Sequence, residues 1–155
     1  MTALRFVEGD LDSPDVVALL AEHLAGMQPH SPPESIHALP VNALRHPDIS
    51  FWSARIDDGR LAGMGALRTL DPAHGEIKSM RTVSALHRSG VGAAMLEHLL
   101  DTARARGFAR VSLETGTADF FEPARALYRT RGFAPCGPFG DYREDRFSCF
   151  MTLVL

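Results

Sequence analysis

The sequence predicts an α/β domain built on a mixed sheet. Hydrophobic spacing alternates between strand-like and helix-like periods, giving the order β-α-α-β-β-β-α-β-α-β-β. Glycine and proline punctuate most of the switches. With 155 residues, 45% of them hydrophobic, the chain suits one core and therefore one domain over residues 1–155.

Leu4–Val7 reads as a first strand. Ser13, Pro14 and Asp15 then signal a helix start, with a capping hydroxyl, a proline at the first helical position and an acid facing the dipole. Val17, Leu20, Leu24 and Met27 follow at helical spacing and predict its buried stripe. QPHSPPESIHALP, residues 28–40, holds three prolines beyond Gln28–His30 and predicts a loop or broken helix. Asn42–His46 forms a short helix that Pro47 stops. A hairpin follows, Ile49–Ile56 and Leu61–Thr69, joined by Asp57-Asp58-Gly59. Gly75–Val83 is a further strand after the Asp71-Pro72 turn. Val91, Met95, Leu96, Leu99, Leu100 and Ala103 mark an amphipathic helix ending at Arg106, with Gly107 as its stop. Val111–Glu114 is a short strand, Pro123 opens a helix that Gly132 closes, and Phe133–Cys136 and Phe147–Val154 are the last strands.

Sixteen Lys and Arg against nineteen Asp and Glu give a net charge of −3, with no long basic run, which argues against nucleic acid held by bulk charge. The opening MTALRFVEGD lacks the charged and apolar regions of a signal peptide. No apolar stretch reaches the roughly 18–20 residues that span a bilayer. Cys136 and Cys149 suit neither a disulfide framework nor a zinc site. The seven histidines show no ligand spacing. The expectation is a cytoplasmic protein with no metal, no membrane and no nucleic acid.

The most informative segment is LHRSGVGAAM, residues 86–95, between a strand and a helix. The helix begins at Gly90-x-Gly92, where free N–H groups and the dipole attract a diphosphate and glycine lets it approach. Met95 stands where a Rossmann fingerprint needs a third glycine, and the P-loop Gly-Lys-Ser/Thr is absent. A lone G-x-G also fits a loosened strand-to-helix turn.

His87-Arg88-Ser89-Gly90-Val91-Gly92 resembles motif A of the GNAT acetyltransferases, Gln/Arg-x-x-Gly-x-Gly/Ala. RALYRTRGF, residues 125–133, resembles their motif B. HSPPESIHAL and CGPFGDY look like the YsnE-like subgroup of small bacterial members. The resemblance implies a GNAT fold: a mixed, mostly antiparallel sheet of six to seven strands, splayed at its centre and flanked by about four helices. It implies acetyl-CoA as co-substrate and transfer of its acetyl group to a primary amine. His87, Arg88, Ser89, Gly90, Val91, Gly92 and Ala93 would hold the diphosphate, and Met80, Arg81 and Thr82 would pair with pantetheine amides. The Met80 N–H would then face the thioester oxygen. Two positions depart from the pattern: His87 replaces Gln or Arg, and Phe121 stands where many members carry Asn.

Acetyl transfer needs a neutral amine, a donor for the developing oxyanion and a proton for the thiolate. Tyrosine, with an ordinary pKa of about 10, suits the last role. Tyr128 sits where the family carries such a tyrosine, although its period also fits a core aromatic. Glu76, eleven residues ahead of His87, matches the strand glutamate of histone-acetylating relatives and is the candidate base. It equally fits a solvated charge beside Lys78. The loops His30–His37 and Cys136–Tyr142 would wall the acceptor cleft. Arg45, Lys78, Arg81 and Arg143 would greet an acidic group there, or stay solvated. Cys136 lacks an acid–base neighbour for a covalent route. A small-molecule amine leads as acceptor, ahead of a protein amine or a CoA-binding module without turnover. A homodimer stays open.

Overall fold

A computed structural model describes residues 3–155 of the chain. The strands are β1 (Arg5–Glu8), β2 (Ile49–Arg55), β3 (Leu61–Asp71), β4 (His74–Thr82), β5 (Arg110–Gly116), β6 (Ala134–Cys136) and β7 (Ser148–Val154). The helices are α1 (Pro14–Met27), α2 (Val41–Leu44), α3 (Val91–Ala105) and α4 (Glu122–Thr130). All seven strands join one sheet in the order β1-β2-β3-β4-β5-β7-β6. Every pairing is antiparallel except β4 with β5, so the mixed, mostly antiparallel sheet is present.

Strand alternation divides the core between the two faces. Leu67 and Ile77 point to α3, where Met95, Leu96 and Leu99 are at most 1% exposed. Met64 and Ala66 point the other way, to Val16, Leu19 and Leu20 of α1 and Leu44 of α2. Gly65 allows α3 to lie close: a Cβ there would sit 2.8 Å from Met95 Cγ. The α3 stripe buries as its spacing predicts. The α1 stripe is displaced by one residue. Val16, Leu19, Leu20 and His23 are buried, whereas Val17 is 42% exposed.

Ser13 occupies the N-cap position of α1 but does not cap it. Its hydroxyl donates instead to Asp10, which also accepts from Ser53 and from Arg55 Nε at 3.0 Å. Arg55 reaches Asp15 as well, at 2.7 Å, and so ties the start of α1 to β2. Burial pushes the Asp10 carboxyl up, but hydrogen bonds from Ser13, Ser53 and Arg55 together hold it below its ordinary value. A local competitor thus takes the predicted cap.

The 28–40 segment is loop with a single 3₁₀ turn at Pro33–Ser35, as its prolines require. Among the described residues, no helix is long and apolar enough to cross a membrane.

Replacing Arg55 with Met leaves Asp10, whose side chain is 13% exposed, without its cation. Breaking so buried a pair should cost about 3 kcal/mol. Urea unfolding followed by circular dichroism measures it, and a loss below about 0.5 kcal/mol would show that the pair is not structural.

Candidate active site

The two parallel strands stay together for three residue pairs only, His74–Glu76 against Arg110–Ser112. Beyond them β5 keeps its partner β7, while β4 runs on beside β3. Two main-chain edges therefore face each other across a gap. A bulge sharpens it: Ser79 and Met80 both oppose Gly65, between the pairs Met64–Arg81 and Ala66–Lys78. Ser79 has φ +56°, a left-handed conformation uncommon for a side-chain-bearing residue. A bulge re-aims the backbone and releases ladder groups.

The α3 N-terminus opens beside this gap. Gly90 is its N-cap at φ +91°, and the first turn closes with Ala94 N–H to the Gly90 carbonyl at 3.0 Å. The N–H groups of Val91, Gly92 and Ala93 consequently have no acceptor within the helix. Arg88 is also left-handed, at φ +65°. At Gly92 a Cβ would meet Leu127 Cδ2 at 3.4 Å and Thr82 Oγ1 at 3.5 Å, so a larger side chain would fill the space in front of those donors. These features fit an anionic diphosphate held by main chain.

One cleft of about 710 Å³ is lined by β4 from Glu76 to Thr82, by His87, Arg88, Gly90, Gly92 and Ala93, and by Glu114 and Tyr128. The structure thus gathers most of the predicted site. Two residues stand apart. The Ser89 hydroxyl and N–H both turn back to the Leu86 carbonyl, and the Val91 side chain is 4% exposed in the core, so Val91 offers the cleft its N–H alone. His87 Nε2 lies 3.1 Å from the Thr82 carbonyl, which fixes the ring at the cleft rim.

Glu76 is 1% exposed, and so is not the solvated charge that its sequence allows. Its Oε2 accepts from Lys78 Nζ at 3.3 Å and from the Tyr142 hydroxyl, while Oε1 is buried without a partner. Tyr142 hydroxyl in turn accepts from Lys78 at 2.9 Å. Across the gap, burial pushes the Glu114 carboxyl up to about 7, with the Ser148 hydroxyl and Lys78 opposing and Glu76 and Asp145 adding to the rise. Tyr128 is 7% exposed, beside Phe133 with ring centroids 5.8 Å apart. Burial and then the Glu114 charge raise its hydroxyl to about 12, so it stays protonated at neutral pH.

The cleft continues outward into a second space of about 750 Å³, floored by Glu76, Lys78 and Arg68 and walled by residues 34–39 and 141–147. The walls meet: Ser35 donates to Asp145, and the His37 and Tyr142 rings stand edge-on at 5.0 Å. Of the loops chosen from the sequence, residues 34–37 of the first and Asp141 and Tyr142 of the second lie here, and the rest of the second wall is residues 143–147. Of the cations chosen with them, Arg45 is taken by Asp12 at 2.7 Å and Arg81 by Glu22 at 2.9 Å. Lys78 is neutralised by Glu76, and Arg143 lines the outer space. Sequence reasoning missed Glu114 and Arg68, and took Tyr142 only as the end of a wall loop, not as a partner of Glu76. Tyr142 joins Glu76 across 66 residues, a contact without any local signal. Strand alternation on β5 carried a hint of Glu114.

The parted sheet, the donor-rich helix start and the enclosed cleft define an acyltransferase. The model described as "Acetyltransferase (GNAT) family" matches residues 15–133, and the chain belongs to that family. It is 54% identical over 146 residues to the uncharacterized N-acetyltransferase YsnE of Bacillus subtilis (strain 168), covering 94% of this chain and 96% of that one. It is 50% identical to the uncharacterized N-acetyltransferase YedL of Escherichia coli (strain K12), covering 94% and 91%. A GNAT acetyltransferase from Elizabethkingia anophelis, solved with acetyl-CoA bound, shares the fold at a TM-score of 0.72 and 15% identity, with 98% of each chain aligned.

Between the ordinary 4.5 and the folded value of about 7, Glu114 holds more of a proton in the folded chain than in the unfolded one. Stability should therefore fall as pH rises through that window. Glu114→Gln should show a flatter melting temperature across it by calorimetry. Parallel curves would mean that Glu114 titrates like an exposed carboxyl.

Proposed function

We propose that the chain moves the acetyl group of acetyl-CoA to a primary amine of a small molecule, by direct attack with both reactants bound. One observation carries this reading. The helix-start donors, the open edge of β4, a buried and a half-buried carboxylate and a protonated tyrosine all line the same cleft. Bound there, acetyl-CoA supplies a thioester carbon for attack and a thiolate to leave.

The chain's own residues meet each chemical need. Main-chain N–H groups at the head of α3, those of Val91, Gly92 and Ala93 foremost, hold the diphosphate, and residues 80–82 align the pantetheine as an added strand would. The Met80 N–H, turned by the bulge, faces charge developing on the thioester oxygen. Tyr128 gives its proton to the departing sulfur. For the base, the spacing that singles out Glu76 is joined by a second carboxylate. Glu114, near 7, has the better balance of basicity and ionisation for taking a proton from the amine. Glu76 Oε1, buried and unpartnered, receives the ammonium and holds it beside Glu114.

The small-molecule reading is supported by the joined walls, since the Ser35–Asp145 contact ties the two loops together beside the outer space. A CoA-binding module without turnover would need neither the open path to Tyr128 nor paired carboxylates.

Tyr128→Phe should lower kcat roughly a hundredfold while leaving the acetyl-CoA Kd unchanged by calorimetry. Unchanged turnover would remove Tyr128 from the reaction. Glu114→Gln should abolish the acidic limb of kcat/KM near pH 7, whereas Glu76→Gln should act chiefly on the acceptor KM. The reverse assignment would return the base role to Glu76.

A further inference from the structure

The outer space has a floor and a rim of different character. Arg143, Arg146, Asp141 and Glu144 on the rim are exposed, of both signs, and solvated. On the floor, Lys78 is neutralised by Glu76 at 3.3 Å. That leaves Arg68, half-buried on β3, with no carboxylate within ion-pair distance among the described residues. Its vacancy is unexpected. Arg68 lies directly opposite Glu76 in the β3–β4 register, where an Arg–Glu cross-strand pair would be favourable. The Glu76 carboxylate instead faces Lys78 and Tyr142. A half-buried guanidinium keeps five donors fixed in a planar fork that matches a carboxylate.

We infer that the acceptor carries a carboxylate as well as its amine, and that Arg68 binds this carboxylate on the cleft floor while the amine sits at Glu76 and Glu114. This assignment rests on the acyl-transfer reading above and narrows it. The charges run the right way. The inner end offers an ammonium Glu114 and the unpartnered Oε1 of the Lys78-paired Glu76, and the outer floor offers a cation for an anion, so an amino acid lies along the cleft in one direction only. Ile36, Leu39, Leu70 and Tyr142 give the rest of the molecule an apolar and aromatic bed. A phosphate monoester, with its second charge, would call for a second free cation on the floor. The other floor cation, Lys78, is already matched.

The test is thiol release from acetyl-CoA with matched acceptors: phenylalanine against phenethylamine, tyrosine against tyramine, leucine against isoamylamine, and phosphoethanolamine as the phosphate arm. At least one amino acid should exceed its decarboxylated partner by about tenfold or more in kcat/KM, the worth of a charged hydrogen-bonded contact. Arg68→Gln should erase that preference through the acceptor KM, and Arg68→Lys should restore part of it. Both variants should keep the wild-type acetyl-CoA Kd, which shows that they fold. Equal or better use of the decarboxylated amines, preference for phosphoethanolamine, or a preference that survives in Arg68→Gln overturns the inference. So does failure of every amino acid to turn over and to bind the CoA-loaded protein by calorimetry. Failure of the wild-type chain to bind acetyl-CoA would instead overturn the acyl-transfer reading itself.

Discussion

β4 and β5 are parallel neighbours that release each other after three residue pairs, and the rest of the molecule is arranged around that release. A strand edge within a sheet ordinarily satisfies its N–H and C=O groups on a neighbour, so parting one is costly unless something else takes those groups. Here β5 is held by β7 along its whole length, which keeps the gap from closing by simple strand exchange. The bulge at Ser79–Met80 turns β4 further from the ladder. Arg125 anchors α4 to the end of β5 through the Gly116 and Ala118 carbonyls, and Arg131 links α4 to Glu97 of α3 at 2.9 Å. The opening is thus braced on both sides by the elements that also carry the donors and Tyr128.

The electrostatics follow from the same geometry. Glu76 is the last residue of β4 that pairs with β5, and Glu114 lies two residues beyond the last paired residue of β5. The two carboxylates stand at the foot of the gap, Glu76 buried and Glu114 half-buried, where Glu114 is raised toward neutrality and Glu76 is held by Lys78 and Tyr142. Tyr128, on α4, is likewise pushed up by burial and then by the Glu114 charge, and so keeps its proton. Groups that could give and take protons thus line one cleft.

Much of this was legible in the chain. Periodicity placed every helix and strand to within a few residues, because α3 and the central strands are strongly patterned. The glycine pair at the head of α3 was legible because φ +91° at Gly90 favours a residue without Cβ, and a side chain beyond Cβ at Gly92 would crowd Leu127 and Thr82. The α1 stripe was misread by one position, since its burial is set by the Arg55–Asp10 clamp and the sheet beneath, not by its own spacing. Glu76 was found by spacing, but its burial was not, because the loop that supplies Tyr142 arrives from the far end of the chain. Arg68 was invisible for a related reason: a charge becomes informative only when its expected partner is seen bonded elsewhere.

Amide hydrogen exchange with and without acetyl-CoA tests the central claim most directly. Protection should appear at residues 88–93 and along β4 from 78 to 82, with the outer strands β1 and β6 unchanged. Protection spread over the outer strands, or none at the head of α3 when binding is saturated, would contradict a cleft built by the parting of β4 and β5.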